Sequence, residues 1–242
     1  MTPALFLVET LPSEDRFELT GDEGRHAARV RRLAVGESLV VGDGRGGQAC
    51  CTVAAVTAEG LDLSVTSRRF VPAPLPRLVV VQALPKGDRA DLAVETMTEL
   101  GVDAIIPWAA ARSVTQWQGP RGAKALDKWR RTAREAAKQS RRAWVPEVRD
   151  PAGEVTPTFV LHESASLRLA SAELPSADEI LVAVGPEGGI SDEELARFEA
   201  GGAVAVRLGE PVLRTSTAGA AALAVLSVRL GRWSGETRRA HC

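Results

Sequence analysis

Two glycine-rich segments in the last third of the chain hold the residues best suited to chemistry. The first, Glu179 to Glu194, reads EILVAVGPEGGISDEE, so an apolar stretch stops abruptly at Gly185-Pro186-Glu187-Gly188-Gly189. The second, Arg207 to Gly219, reads RLGEPVLRTSTAG and repeats the device: apolar residues, a glycine, a polar loop, then small residues. Glycine at the carboxyl end of a strand permits backbone conformations and close ligand approach that a side chain would forbid, and ligands of open α/β sheets sit at that edge. Taken alone, the first segment reads equally as a ligand loop or as a plain glycine-rich turn. Arg214 brings a permanent cation to the second loop, suited to anionic charge that develops during a reaction. Glu187 is placed to orient a substrate or accept a proton, and equally to cap a neighbouring backbone amide. Neither loop contains histidine.

A third glycine segment, Gly42-Asp43-Gly44-Arg45-Gly46-Gly47, formally fits the dinucleotide fingerprint. It is followed by the β-rich ACCTVAAV rather than a helix, so it reads as a hairpin turn.

The elements that must position these loops follow from periodicity. Between Glu37 and Thr66, short runs of β-formers broken by glycine predict a hairpin meander. Val71-Pro72-Ala73-Pro74-Leu75-Pro76 is a stiff extended connector, which divides the chain into domains at 1–72 and 73–242. Beyond it strand and helix alternate: an apolar strand Leu78–Leu84, a helix from an N-cap at Asp88 to Leu100 with Gly101 as C-cap, and a strand Val102–Trp108. A helix Ala123–Ser140 follows, then strands Thr158–His162 and Ile180–Val184, a helix Asp192–Ala200, a strand Ala203–Leu208 and a final helix Thr217–Leu230. This rhythm predicts an α/β domain with a parallel sheet covered by helices. Ser191 and Glu194 form a capping box for the Asp192 helix. Thr215, Ser216 or Thr217 is expected to cap the last helix, whose AGAAALA run allows close backbone packing, as core or as subunit interface.

The 242 residues carry 30 Lys and Arg against 31 Asp and Glu, a net charge of −1, which argues against a uniformly basic nucleic-acid coat. The distribution is less even. Arg25, Arg29, Arg31 and Arg32 cluster near the start, and between Arg121 and Arg142 nine basic residues face only Asp127 and Glu135. Leu126, Trp129, Ala133, Ala136 and Ser140 make the apolar stripe of the helix in that stretch, so its basic residues lie elsewhere around it and suit phosphate contact. Cys50, Cys51 and Cys242 show neither metal-ligand spacing nor a disulfide framework. With no export signal or membrane span at the start, the expected location is the cytoplasm.

GPEGG-I-S together with L-G-x-x-V-L-R-T-x-T-A resembles the SPOUT class of methyltransferases, and specifically the family that methylates N3 of a uridine in 16S ribosomal RNA. Lys86-Gly87-Asp88, Glu99-Leu100-Gly101-Val102 with Ile106-Pro107, Lys128-Trp129, Glu135 to Arg142, Pro146, His26, Val30-Arg31 and Gly36 extend the resemblance over nearly the whole chain. It implies a small PUA-like β-barrel that binds RNA, followed by a SPOUT trefoil-knot domain with a parallel sheet. It also implies S-adenosyl-L-methionine as cofactor, 16S rRNA of the small ribosomal subunit as substrate (position 1498 in the usual numbering), a homodimer packed through the last helix, and no metal. The implied cofactor residues are Leu161, His162, Gly185, Pro186, Glu187, Gly188, Leu208, Gly209, Val212, Leu213, Thr215 and Ala218. Arg214 and Glu187 are the catalytic candidates. The RNA-binding set is Arg25, Arg29, Arg31, Arg32, Lys86, Arg112, Arg134, Gln139 and Arg142. The chain departs from the family at Ser216, where glutamate is frequent, and at Pro3 to Phe6, where an arginine is. Two alternatives remain: a SPOUT enzyme with another RNA target, and a non-catalytic ribosome-assembly factor with the same fold.

Overall fold

The computed structural model describes residues 3–87, 89–150 and 155–234. The expected N-cap Asp88 and the cysteine at position 242 lie outside them. The described residues fall into two compact units, one from 3–73 and 137–145, the other from 74–136 and 146–234.

The first unit is a five-stranded sheet in the order β1-β3-β4-β5-β2, formed by β1 Ala4–Leu7, β2 Arg16–Leu19, β3 Ser38–Gly42, β4 Gly47–Val56 and β5 Leu61–Phe70. The expected meander is β3-β4-β5, antiparallel throughout, while β1 joins β3 in parallel. The glycine segment at 42–47 is the β3–β4 turn, as its sequence context implied: the Asp43 carboxylate accepts the amides of Arg45 at 2.7 Å and Gly47 at 3.0 Å. Alternate strand residues Leu39 and Val41, Ala49, Cys51 and Val53, and Leu61 and Leu63 point inward onto Phe6, Leu19 and Ala27. Ala27 comes from a π-helical turn His26–Val30 that continues α1, Gly21–Arg25. Residues 137–145 cluster with this unit, which a single cut at 72/73 does not foresee. The reason is hydrogen bonding: Gly46 N–H donates to Ala143 O at 3.0 Å and Val145 N–H to Gly44 O at 3.0 Å.

The second unit holds six parallel strands in the order β11-β9-β10-β6-β7-β8. They are β6 Arg77–Ala83, β7 Ala104–Trp108, β8 Glu147–Val148, β9 Phe159–Leu161, β10 Glu179–Val184 and β11 Val204–Val206. The chain starts in the middle at β6, moves outward through β7 and β8, and then crosses to the other side. There β10 slots in beside β6, leaving β9 and β11 outermost. This reversal next to the first strand is the position where open α/β sheets bind ligands, at the strands' carboxyl ends. Strand β6 is apolar without alternation because both its faces are covered: Leu78 and Val80 belong to one core, Val79 and Val81 to the other.

The first core packs under α2 Arg89–Glu99, α3 Gly119–Gln139 and α5 Thr215–Arg229, and the second under α4 Asp192–Ala200. Helix α3 begins four residues before its expected start, because Pro120 in its first turn lacks only an N–H that would go unpaired there. Its predicted stripe is buried at Leu126, Trp129, Ala133 and Ala136, with Trp129 edge-on to Trp117. In α5, a Cβ on Gly219 would lie 2.7 Å from Met97 Sδ, so the small-residue run admits α2 within the chain itself. At the amino end of the sheet, the Arg149 guanidinium, with Arg77 adding to it, holds the Glu179 carboxyl below the usual carboxylate range. Among the described residues, no helix is long and apolar enough to cross a membrane.

Candidate active site

A cavity of about 390 Å³ opens at the carboxyl ends of β9, β10 and β11. Of the twelve residues expected at the cofactor, eleven line it: Leu161, His162, Gly185, Pro186, Glu187, Leu208, Gly209, Val212, Leu213, Thr215 and Ala218. Arg214 lines it as well. Gly188 does not, because its α-carbon turns toward Arg112, where an added Cβ would lie 3.1 Å from Arg112 Cβ and 3.2 Å from Arg112 O. Arg89, Glu163, Arg207 and Glu210 also line the cavity. Arg207 and Glu210 belong to the second glycine segment, whereas Glu163 and Arg89 reach the wall by adjacency to the end of β9 and at the start of α2.

The loop after β10 is fixed from several sides. Gly189, at φ +75°, donates its N–H to Pro186 O at 2.9 Å and closes a tight turn that an L side chain would strain. Ile190 is buried against the second core. The capping box of α4 is formed as the sequence implied, since Ser191 Oγ accepts Glu194 N–H at 3.2 Å and Glu194 Oε2 accepts Ser191 N–H at 3.1 Å. Glu194 does more than cap: its other oxygen accepts the Ala111 amide at 2.7 Å, 83 residues away. Arg112 returns the contact, with Nη1 3.4 Å from Gly188 O and 3.3 Å from Ile190 O. The segment at Ala111-Arg112 and the glycine loop therefore clasp each other, and Arg112, expected at RNA, has that nitrogen on the loop's carbonyls. A side chain whose partners lie so far along the sequence leaves no local pattern to read.

The loop after β11 has far fewer ties. Val212 is 77% exposed and Leu213 41%. Glu210 meets Arg168 at 3.3 Å and Arg207 at 3.4 Å, all near the surface. The expected cap of α5 is corrected by the structure: the N-cap is Arg214 in extended geometry, without a side-chain cap, and Thr215 to Thr217 are the first helical residues. Thr217 Oγ1 turns back onto Arg214 O at 3.2 Å. Thr215 Oγ1 instead donates to Gly185 O at 3.0 Å and ties the two loops together. Gln82, fully buried at the end of β6, places Nε2 3.4 Å from Thr215 O.

Both catalytic candidates lie on the cavity wall. Arg214 is exposed, and its guanidinium has no ion-pair partner among the described residues. Glu187 does cap a backbone amide, as one of its readings held: Oε1 accepts Lys86 N–H at 3.2 Å, and its other oxygen has no partner among the described residues. His162 has Nδ1 2.8 Å from Ser164 Oγ, and the residue also borders the cavity.

The basic stretches divide in the same way. On α3, Lys128 pairs with Asp91 at 2.6 Å and Arg130 with Asp150 at 2.9 Å; in the first unit Lys138 pairs with Glu23 at 2.7 Å. These partners lie on other elements, so the helix's charge excess is partly neutralised by the fold rather than reserved for phosphate. Arg121, Lys124 and Arg131 stay exposed without an ion-pair partner among the described residues, and Gln139 is exposed too. In the first unit, Arg25 pairs with Asp22 and Arg29 reaches Ala58 O at 3.2 Å. Arg31 and Arg32, and Lys86 in the second unit, are exposed and have no ion-pair partner among the described residues. Arg134 and Arg142 are half-buried.

The chain matches the RNA methyltransferase domain model over residues 72–227 and the RNA methyltransferase PUA domain model over 19–66. It is 45% identical to ribosomal RNA small subunit methyltransferase E of Mycobacterium bovis, over 96% of this chain and 94% of that one. Against the Bacillus subtilis protein of the same name it is 30% identical over 87% and 89%. The crystal structure of a ribosomal RNA small subunit methyltransferase E from Neisseria gonorrhoeae, bound to S-adenosyl methionine, superimposes with a TM-score of 0.81 at 26% identity, covering 94% of this chain and 98% of that one. With its PUA domain, its SPOUT-type parallel sheet and its strand-end cavity, the chain belongs to the RNA methyltransferase family of the ribosomal RNA small subunit methyltransferases E.

Proposed function

We propose that the chain transfers the methyl group of S-adenosyl-L-methionine to N3 of one uridine in 16S rRNA of the small ribosomal subunit. The observation that carries this is the single cavity wall shared by two glycine loops, Arg214 and Glu187. Its residues suit the cofactor: Leu161, Leu208, Val212 and Leu213 offer apolar contact for an adenine ring, and the glycine stretches expose main-chain donors and acceptors. S-adenosylmethionine supplies an activated methyl on a sulfonium that is its own leaving group.

The remaining demand falls on the protein. Uracil N3 carries a proton and is a poor nucleophile at neutral pH, so methylation needs a base or stabilisation of the imidate anion spread over O2 and O4. Arg214, permanently charged at the cavity wall, stabilises that anion. Glu187, anchored through Oε1 by the Lys86 amide, turns its free oxygen to the N3 proton or orients the base. Arg31, Arg32, Arg121, Lys124 and Arg131 are available to phosphates. The protein works as a homodimer in the cytoplasm; large apolar side chains left exposed on α2 and α5, Leu92 and Val228, support pairing of copies there.

Calorimetric titration with S-adenosylmethionine, beside Gly188→Arg, tests the cofactor. The added arginine meets Arg112 and pushes the loop from its clasp, so binding is lost in the variant. Nucleoside mass spectrometry of rRNA from a deletion strain tests the target, and 3-methyluridine should be absent from its small-subunit RNA. No cofactor binding by the wild type supports an assembly factor instead, and binding with 3-methyluridine intact points to another RNA. A monomeric mass at micromolar concentration would overturn the homodimer.

A further inference from the structure

The first unit presents an aromatic surface that its own core does not use. The chain has ten Phe and Trp rings (five of each) and no Tyr. Among the described residues two are more than half exposed, Trp233 at 53% and Phe70 at 67%. Phe70 ends β5, and its ring lies 6.2 Å from that of Trp144 at 79°, an edge-to-face pair.

Trp144 is held firmly. Its Nε1 donates to Val71 O at 2.8 Å, and its backbone bridges to Arg45 in the β3–β4 turn. Gly46 sits against both rings at φ +99°; a Cβ there would lie 2.9 Å from each ring and 2.6 Å from Val71 O. The turn thus accepts a residue that only glycine can supply, and the two rings close over it. Two cations adjoin the rings along the backbone: Arg45, bridged to Trp144, and Arg141, just before Trp144 in the chain. Arg45 and Arg141 are exposed with no ion-pair partner among the described residues. The acidic member of the turn, Asp43, has Oδ1 occupied by the amides of Arg45 and Gly47. Arg69 is engaged by Gln48, and Arg68 by the carbonyls of Pro12, Ser13 and Glu14, so those two cations belong to the fold.

We propose that Phe70 and Trp144, flanked by Arg45 and Arg141, form a stacking site for an unpaired base of the RNA substrate. An exposed ring beside unpaired guanidinium groups matches a ligand with both a π-face and a phosphate, which is single-stranded RNA. This rests on the rRNA methyltransferase reading and adds a base contact, through two rings and Arg45, to the basic residues assigned to RNA above.

The test measures binding of purified 16S rRNA to the full chain, with cofactor titration and methyl transfer followed in parallel. Phe70→Leu keeps apolar bulk without a ring and is expected to weaken RNA binding about ten-fold, the usual effect of losing one base–aromatic stack. Its S-adenosylmethionine affinity and thermal midpoint stay those of the wild type. Arg45→Ala weakens binding less and flattens its salt dependence. RNA affinity unchanged in Phe70→Leu, with a wild type that methylates the RNA, would overturn the stacking site alone. A wild type that neither binds nor methylates 16S rRNA would overturn the methyltransferase reading and the stacking site with it.

Discussion

The loop from Gly185 to Ser191 and the loop from Leu208 to Arg214 leave strands on either side of β9 and wall the same cavity, yet they are held in different ways. The first is locked: a tight turn at Gly189, a buried Ile190, a two-sided carboxylate at Glu194 and the Arg112 guanidinium leave it little freedom. The second keeps Val212 and Leu213 in solvent and is tethered chiefly by surface ion pairs and by Thr215. One wall of the cavity is therefore built before any ligand arrives, and the other is free to settle on it. Preorganised groups lose little entropy on binding, whereas an exposed loop must be ordered by the contacts it gains. The contrast assigns stability to the first loop and adjustment to the second.

The largest effect is expected where the locked loop has least room. A Cβ at Gly185 would sit 2.7 Å from Ile190 Cγ1, which is buried, so Gly185→Val must displace the loop from the second core. The expected outcome is a destabilisation of about 3 kcal/mol, as for overpacked cores, with cofactor binding lost in calorimetry. Gly209→Ala in the other loop has its nearest neighbour, Pro211 Cδ, at 3.8 Å and should leave the thermal midpoint unchanged. Equal losses in the two variants would remove the contrast.

Glu194→Gln comes next. A glutamine can accept one of the two amides but turns its own N–H₂ toward the other, leaving Ala111 or Ser191 N–H unpaired in a buried position. A cost of about 2 kcal/mol follows, and S-adenosylmethionine affinity should fall about ten-fold as the clasp with Arg112 loosens. Denaturant unfolding combined with calorimetry reads both numbers. Lost stability with unchanged cofactor affinity would make Glu194 a helix cap and nothing more.

What sequence could and could not show follows the same division. The capping box at Ser191 and Glu194 and the limits of α4 were legible because their partners lie within one helical turn. The glycine loops were legible as strand-end devices, and together with the end of β9 and the start of α5 they bring eleven cofactor candidates to one cavity. The second duty of Glu194, the placement of Arg112 and the true partner of Thr215 depend on contacts 83, 76 or more, and 30 residues distant, where no periodicity reaches. From sequence alone Thr215 reads as a local cap, because a hydroxyl at a helix start usually is one. Strand β8, of two residues, is too short to carry a pattern. The membership of 137–145 in the first unit rests on backbone hydrogen bonds that side-chain types do not encode.

Thr215 is the link between the two regions, and its loss should be milder. Thr215→Val keeps the volume and removes the hydrogen bond to Gly185 O, at an expected cost of about 1 kcal/mol. Thr215→Ser restores the donor and should recover most of it. Rescue by serine in a thermal melt sharpens the reading that one hydroxyl joins the loops; failure of serine to rescue shifts the role to the methyl group's packing.

The smallest effect belongs to Glu210. Its side chain is 72% exposed and its pairs with Arg168 and Arg207 are longer than 3.2 Å, so water and salt screen them. Glu210→Gln should therefore leave the thermal midpoint where it is. If these pairs still bias the second loop, the variant's cofactor affinity at low salt should fall about two-fold and converge with the wild type at high salt, since only the wild type has pairs to lose. A salt-independent difference would instead mean that the carboxylate touches the ligand, and the second loop would then be a preorganised wall like the first.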